Sequence, residues 1–206
     1  MLGIGPLPGL PTMPRELPVF PLGTVLYPGA LLRLNIFEPR YRAMTRHCVD
    51  TNTGFGVFLI EGGYEVGTPA IPHRHGCEAQ LVDAQQRGDG TWQLLVRGHA
   101  RLRLAQRRVQ DDGLIVGEVE TLPTPDPMPL PDRHARLAEL LSELQRKFAH
   151  ESPLPTPLRL DDASWIAYRW AELLPLTPEM RVRWLAIDDP IALIDAVAAE
   201  VADALR

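Results

Sequence analysis

The stretch ELPVFPLGTVLYPGALLRLNI, residues 16–36, decides the fold class of the N-terminal half. From Ala30 to Ile36 apolar and polar side chains alternate, which is the pattern of a strand buried on one face. Leu17–Leu22 is a second apolar segment, and Tyr27-Pro28-Gly29 between the two consists of residues that favour turns. The stretch therefore predicts the first two strands of a sheet, joined by a turn.

The chain beyond this stretch continues with strand patterns, interrupted by one helix. The helix is predicted from Pro39 to about Asp50, because proline favours the first helical turn and the apolar residues that follow share one face. A loop is predicted through Pro69 and Pro72. Five more strands are predicted, at Gly54–Ile60, Cys77–Gln85, Thr91–Val96, His99–Val109 and Leu114–Val119.

A proline-rich segment at 121–131 separates these strands from a helical half. Helices are predicted after four capping positions, Asp132, Asp161 or Asp162, Thr177 and Asp189, the first running to Phe148 and the last to Leu205. Trp165, Trp170 and Trp184 have the spacing of core residues. The predicted organisation is α+β: a flexible tail at 1–14, a β-rich subdomain at 15–121, a linker at 122–131 and a helical bundle at 132–206.

Composition excludes several classes of enzyme. The only lysine among the 206 residues is Lys147, which lies in no glycine-rich phosphate loop, and none of the three serines lies in a Gly-x-Ser-x-Gly motif. The net charge of −5 falls entirely in the helical half. Two cysteines, no signal peptide pattern and no long apolar run indicate a cytoplasmic protein without a membrane segment.

Six segments taken in order resemble the N-terminal, substrate-binding domain of Lon proteases. They are Leu17–Gly29, Ile36–Arg42, Phe55–Ile60, Gly76–Leu81, Val96–Leu104 and Leu174–Leu185. The resemblance spans about residues 15–204 and implies a PUA-like β pseudo-barrel with one inserted helix, followed by a helical bundle. It departs from full-length Lon proteases in lacking the ATPase and protease modules, and so resembles the free-standing single-domain members. Gly76-Cys77 also departs from the Gly-Thr that is more usual in the family.

The resemblance implies a partner rather than a reaction: unfolded or flexible polypeptide segments, with a protease or chaperone system as a further partner. No cofactor is predicted. Phe37, Arg40 and Tyr41 join a strand to the inserted helix, and they are candidates to border a groove that contacts a peptide. The competing interpretation is structural, because an acidic residue and a proline at the start of a helix stabilise its first turn. Arg101 and Arg103 are further candidate peptide contacts.

An RNA-binding module is the competing hypothesis, because five arginines crowd the hairpin around 97–108 near Trp92 and His99. The β-rich half has no net charge, so it lacks the long-range attraction for phosphate on which nucleic-acid affinity depends. A solvated polar strand face is the favoured interpretation of these arginines, and nucleic acid is not the predicted partner.

A metal site is a weak alternative for His73, His75 and Cys77, which alternate along an extended segment and are all potential ligands. The competing interpretation is a loop with two exposed histidines that enters a strand whose cysteine faces the core. No fourth ligand with regular spacing follows, so no metal is predicted.

We expect the purified protein neither to hydrolyse ATP nor to cleave casein, because the residues for a phosphate loop and for a serine–lysine pair are missing from the chain. Phosphate release and casein fragmentation would measure both activities. Cleavage that disappeared on mutation of Ser142 or Lys147 would contradict this expectation.

Overall fold

A computed structural model describes residues 14–124, 127–148 and 154–204. Most of the predicted tail at 1–14 therefore lies outside the described residues, as does a part of the proline-rich segment at 121–131. The described residues form six strands: β1 Arg15–Leu22, β2 Leu31–Ile36, β3 Phe55–Gly62, β4 Ile71–Gln86, β5 Trp92–Val109 and β6 Ile115–Thr121.

Two strand predictions are wrong in their boundaries. The predicted strands on either side of Gly98 are one continuous strand, β5, because the extended chain passes through this glycine without a turn. β4 begins at Ile71, so the predicted loop through Pro72 belongs to a strand. Pro72 pairs with Ile60 where the register between β3 and β4 shifts, and such irregular positions tolerate a proline.

Five of the strands close into a small barrel, which confirms the predicted pseudo-barrel. The sheet order is β2-β5-β4-β3-β1-β6, and β6 pairs again with β5 to complete the ring. The interior is filled by apolar side chains from its strands: Leu17, Val19, Phe58, Leu102, Leu104, Ile115 and Val119.

β2 stands outside the ring and pairs with the first half of β5, from Leu31 opposite Arg97 to Ile36 opposite Trp92. β1 pairs with two strands in turn. Its residues up to Val19 pair with β6, and Val19–Leu22 pairs with β3. Within the described residues, β2 and the end of β1 therefore each keep one edge without a strand partner. Exposed edges of this kind can pair with another chain.

The helices follow the predicted order. They are α1 Pro39–Thr51, α2 Ala135–Phe148, α3 Ala163–Leu173, α4 Pro178–Leu185 and α5 Pro190–Ala204. Asp162 caps α3 by accepting the Ser164 and Trp165 amides, and Thr177 caps α4. Asp132 does not cap α2, because it lies inside a short 3-10 turn that precedes the helix. The predicted end of α5 at Leu205 lies outside the described residues.

Helices α2–α5 pack against the sheet through one continuous apolar core. The three tryptophans predicted to be core residues are buried. The Tyr27 ring stacks on Tyr168 of α3 with centroids 5.3 Å apart, and its hydroxyl donates to the Arg181 carbonyl at 2.8 Å. The two halves of the chain are thus joined by both apolar and polar contacts.

Arg101 is the main polar link from the barrel to the helices, and its predicted solvent-facing position is wrong. Its side chain is 3% exposed, because the guanidinium is directed towards the end of α4. It donates to the carbonyls of Leu185, Ile187 and Pro123 at 2.8–3.3 Å and pairs with Asp188 at 2.9 Å. A buried arginine is stable only when its N–H groups are satisfied in this way.

The proline-rich segment at 122–131 is attached to the start of α3. The Leu130 amide donates to the Asp161 carbonyl, and the Ala163 amide donates to the Met128 carbonyl, both at 2.9 Å. The division of the chain into two subdomains at this segment stays a prediction.

The turn at Tyr27–Ala30 lies directly against Gly98. The Gly29 amide donates to the Gly98 carbonyl at 2.8 Å, and the Gly98 amide donates to the Ala30 carbonyl at 2.9 Å. A Cβ atom on Gly98 would lie 2.0 Å from the Tyr27 carbonyl oxygen, which no relaxed structure allows. Glycine is required here for the close approach of two backbone segments.

We predict that Gly98→Ala lowers the free energy of unfolding by at least about 2 kcal/mol, because the turn must move away from β5. Gly88→Ala is the matched control, since a Cβ there meets nothing within 4 Å. Urea unfolding followed by circular dichroism measures both. Equal stabilities for the two variants would show that the contact with Tyr27 does not constrain the fold.

Candidate functional site

A groove of about 250 Å³ lies between the unpartnered edges of β1 and β2, and we name it the β1–β2 groove. Its floor consists of buried apolar side chains, namely Phe20, Leu22, Leu34, Ile36 and Tyr41. Its rim carries Arg33, Asn35, Phe37, Glu38, Glu65 and Val66. The groove follows from the topology, because the two strand edges that border it have no partner among the described residues.

Phe37 and Tyr41, which the sequence predicted to border a groove, both line this one. Phe37 directly follows the last residue of β2 and is 54% exposed. Tyr41 is buried in the floor, with its ring centroid 4.3 Å from that of Phe20 in an edge-to-face contact. Burial raises the pKa of Tyr41, so its hydroxyl stays protonated at neutral pH.

Arg40 does not line the groove. Its guanidinium turns away to pair with Glu38 at 2.9 Å and to donate to the Gly113 carbonyl at 3.3 Å. It also lies 4.7 Å from the centre of the Tyr41 ring. Arg40 therefore fixes the positions of Glu38 and Tyr41 and does not face the space in the groove.

The loop between β3 and β4 also lines the groove, through Glu65 and Val66, and the sequence analysis missed this contribution. Val66 is 56% exposed, and the neighbouring Tyr64 is 81% exposed. The Glu65 carboxylate accepts the Gly23 amide and so ties the loop to the end of β1. Two apolar residues within a short glycine-containing loop were the available signal, but only the fold brings Val66 to the groove that Phe37 also lines.

Arg101 and Arg103 lie on the second half of β5, and neither lines the groove. Arg103 donates through two nitrogens to the Glu120 carboxylate on the neighbouring strand β6. Arg101 is engaged by carbonyls, as described above. The structure thus brings two of the five predicted contact residues to the groove and leaves the other three elsewhere.

The arginines of the hairpin around 97–108, on which the competing RNA hypothesis rests, are largely occupied by partners within the chain. Arg108 pairs with Glu16 at 3.0 Å, and Arg107 donates to the Ala70 carbonyl at 3.3 Å. Together with Arg101 and Arg103, these groups do not form an unpaired cationic surface. Trp92 is 8% exposed, so its ring offers little area for stacking on a base.

The weak metal-ligand candidates His73, His75 and Cys77 are not assembled into a cluster of three or more His, Cys, Asp and Glu side chains within the part of the chain that the structure describes. Cys77 faces the core and is fully buried, and this burial raises the pKa of its thiol far above the ordinary value. His75 is half-buried, and desolvation together with nearby arginines lowers its pKa. Cys77 is thus held as a neutral thiol.

A second cavity of about 250 Å³ lies between the barrel and α3, bordered by Gly29, His99, Trp165 and Tyr168. Its acidic group, Asp162, already caps α3 and pairs with Arg159 at 2.6 Å. The β1–β2 groove differs in being lined by two large exposed apolar side chains, Phe37 and Val66. It is therefore the stronger candidate for contact with another molecule.

The fold is an α+β barrel with a helical bundle, and no helix within the described ranges is long and apolar enough to cross a bilayer. The family model of the ATP-dependent protease La (LON) substrate-binding domain matches residues 16–202. The chain belongs to this family.

Two solved structures resemble the chain. The crystal structure of a Lon N-terminal domain protein from Xanthomonas campestris is 36% identical, with a TM-score of 0.75, and the match covers 90% of this chain and 98% of that one. The N-terminal domain of Mycobacterium avium complex Lon protease is 18% identical, with a TM-score of 0.65, over 92% and 99% of the two chains. The second likeness is one of fold.

We predict that both thiols react slowly with Ellman's reagent in the native protein. Cys48 and Cys77 are both buried, and burial raises the pKa of each thiol. In denaturant, both thiols should react at the rate of an exposed cysteine, giving two equivalents of reacted thiol per chain. A thiol that reacts rapidly at pH 7 in the native protein would contradict this burial, and loss of that reaction in Cys77→Ala would show that Cys77 is accessible as a ligand.

Proposed function

We propose that the chain is a non-enzymatic polypeptide-binding module that holds exposed apolar segments of other proteins in the β1–β2 groove. The observation that carries the proposal is the pair of exposed apolar side chains, Phe37 and Val66, that line the groove together with buried apolar residues. Membership of a family described as a substrate-binding domain supports a polypeptide as the partner.

The groove offers a partner two kinds of interaction. An extended segment can pair with the free edge of β2 through main-chain hydrogen bonds, as in other cases of strand addition. Every second side chain of that segment then points towards the floor at Tyr41 and Phe20. Main-chain pairing does not depend on sequence, so the module accepts many apolar segments.

The acidic residues at the groove are engaged in structural contacts and are not placed for acid–base chemistry. Glu38 pairs with Arg40, and Glu65 accepts the Gly23 amide. The proposed role is therefore binding without catalysis, in support of a protease or chaperone system in the cytoplasm, where Cys48 and Cys77 stay reduced. Arg101 is left out of the proposed contact residues because its N–H groups are already bound.

We expect Phe37→Ala and Val66→Ala each to weaken binding of a labelled apolar peptide with neutral flanks by about 1–2 kcal/mol, or roughly five- to thirtyfold. Leu173→Ala and Val82→Ala are matched controls, because these side chains are 44% and 50% exposed and do not line the groove. Fluorescence anisotropy measures the affinities, and thermal unfolding checks that all four variants are folded.

Binding of the neutral peptide should change little or strengthen slightly with salt, since apolar burial is its driving force. Equal losses in the groove variants and the controls would contradict the proposed site. Submicromolar affinity for single-stranded RNA that falls steeply with salt would favour the competing function.

A further inference from the structure

Helix α1 presents two arginines, Arg42 and Arg46, on the wall of a second depression, and we name this depression the α1–β5 cleft. The cleft measures about 400 Å³, and Pro39, Ala43 and Trp92 contribute apolar surface to it. Neither arginine has an ion-pair partner among the residues that the structure describes. Arg46 is held over the Trp92 ring, 5.9 Å from its centre, and donates to Gln86 at 3.2 Å.

The α1–β5 cleft adjoins the β1–β2 groove. Glu38 lines the groove and the next residue, Pro39, lines the cleft. The two sites are also neighbours across the sheet, because Ile36 of the groove pairs with Trp92 of the cleft. A polypeptide seated in the groove can therefore continue into the cleft.

The groove and the cleft together carry an excess of positive charge. Two like charges four residues apart on a helix repel each other, so the pair Arg42 and Arg46 is unfavourable for α1 on its own. Arg33, on the rim of the groove, is a third arginine without an ion pair in the described part of the chain. Glu38 and Glu65, the acidic residues of the groove, are bound to Arg40 and to the Gly23 amide.

We infer that the preferred client is a polypeptide in which acidic residues flank the apolar segment, with the apolar part in the β1–β2 groove and the carboxylates on Arg42 and Arg46. The inference rests on the proposed function and adds to it the chemistry of the client. Guanidinium groups bind carboxylates through two parallel hydrogen bonds, which makes arginine well suited to this recognition.

The spacing of the two arginines specifies the acidic pattern. Positions four apart on a helix are separated by about 6 Å along its axis. Alternate residues of an extended chain are separated by about 6.6 Å and point to the same side. A client with Asp-x-Asp after its apolar segment can therefore contact both arginines at once. The buried ring of Trp92 provides an apolar floor and little stacking face, which favours a polypeptide over RNA.

The test uses the full chain and three labelled peptides that share one apolar segment and end in Asp-Ser-Asp, Asn-Ser-Asn or Lys-Ser-Lys. We expect the aspartate peptide to bind about five- to tenfold more tightly than the asparagine peptide at low salt, and the lysine peptide to bind more weakly than both. The advantage should shrink towards zero at about 1 M salt, where charges are screened within about 3 Å.

The double variant Arg42→Gln with Arg46→Gln should remove the advantage of the aspartate peptide, so that the aspartate and asparagine peptides bind with the same affinity. Arg74→Gln with Arg183→Gln is the matched control, because it removes the same charge from two exposed arginines outside both sites. Thermal unfolding confirms that both variants are folded.

The other outcomes show whether the acidic preference alone fails or the proposed function fails with it. Equal binding of the aspartate and asparagine peptides would overturn the acidic preference and leave the proposed function standing. An equal loss in the control variant would also overturn it, because long-range charge would then be the cause. Binding of none of the peptides would overturn both proposals, and an oligouridine bound as tightly as the aspartate peptide would overturn the assignment to a polypeptide.

Discussion

The close contact between the Tyr27–Ala30 turn and Gly98 is the constraint on which the rest of the structure depends. The two backbone segments exchange hydrogen bonds of 2.8 and 2.9 Å, and there is no room for a Cβ atom between them. The contact holds the beginning of β2 next to the first half of β5, with which β2 then pairs. It also places Tyr27 against Tyr168, and the Pro28 carbonyl where it accepts a hydrogen bond from Arg169 at 3.1 Å. Barrel, outer strand and helices therefore meet at one turn.

This constraint explains why an apolar groove stays open in a protein with a closed barrel. β5 gives its first half to β2 and its second half to β6, so β2 cannot join the ring. β1 changes partners at Val19, which leaves the edge of its last residues facing β2. The proposed binding site is thus a consequence of how two strands share their partners, completed by Glu65 and Val66 of the loop between β3 and β4.

The sequence predicted the features that depend on local pattern. The alternation at 30–36, the proline at the start of α1 and the caps Asp162 and Thr177 are local signals, and the structure confirms them. Phe37 and Tyr41 were found for the same reason, because they sit at a recognisable strand-to-helix junction. Phe37 is exposed because it lies just after the last residue of β2, and Tyr41 is buried because it lies on the apolar face of α1.

Features that depend on distant residues were not predictable in this way. Arg101 has the alternation of a solvent-facing strand residue, but its carbonyl partners Leu185 and Ile187 lie more than eighty positions along the chain. Val66 belongs to the groove only because Glu65 ties its loop to the end of β1. The family resemblance supplied the barrel as a whole, which the order of predicted strands alone leaves undetermined.

Hydrogen–deuterium exchange with and without a permanently unfolded polypeptide tests the central claim most directly, because it reports backbone protection along the whole chain. Pairing at the free edge of β2 predicts slower exchange at 31–37, extending to the loop at 63–68, with the barrel strands β4 and β6 unchanged. Protection confined to 97–108 or to the helical half would contradict the assignment of the groove as the binding site.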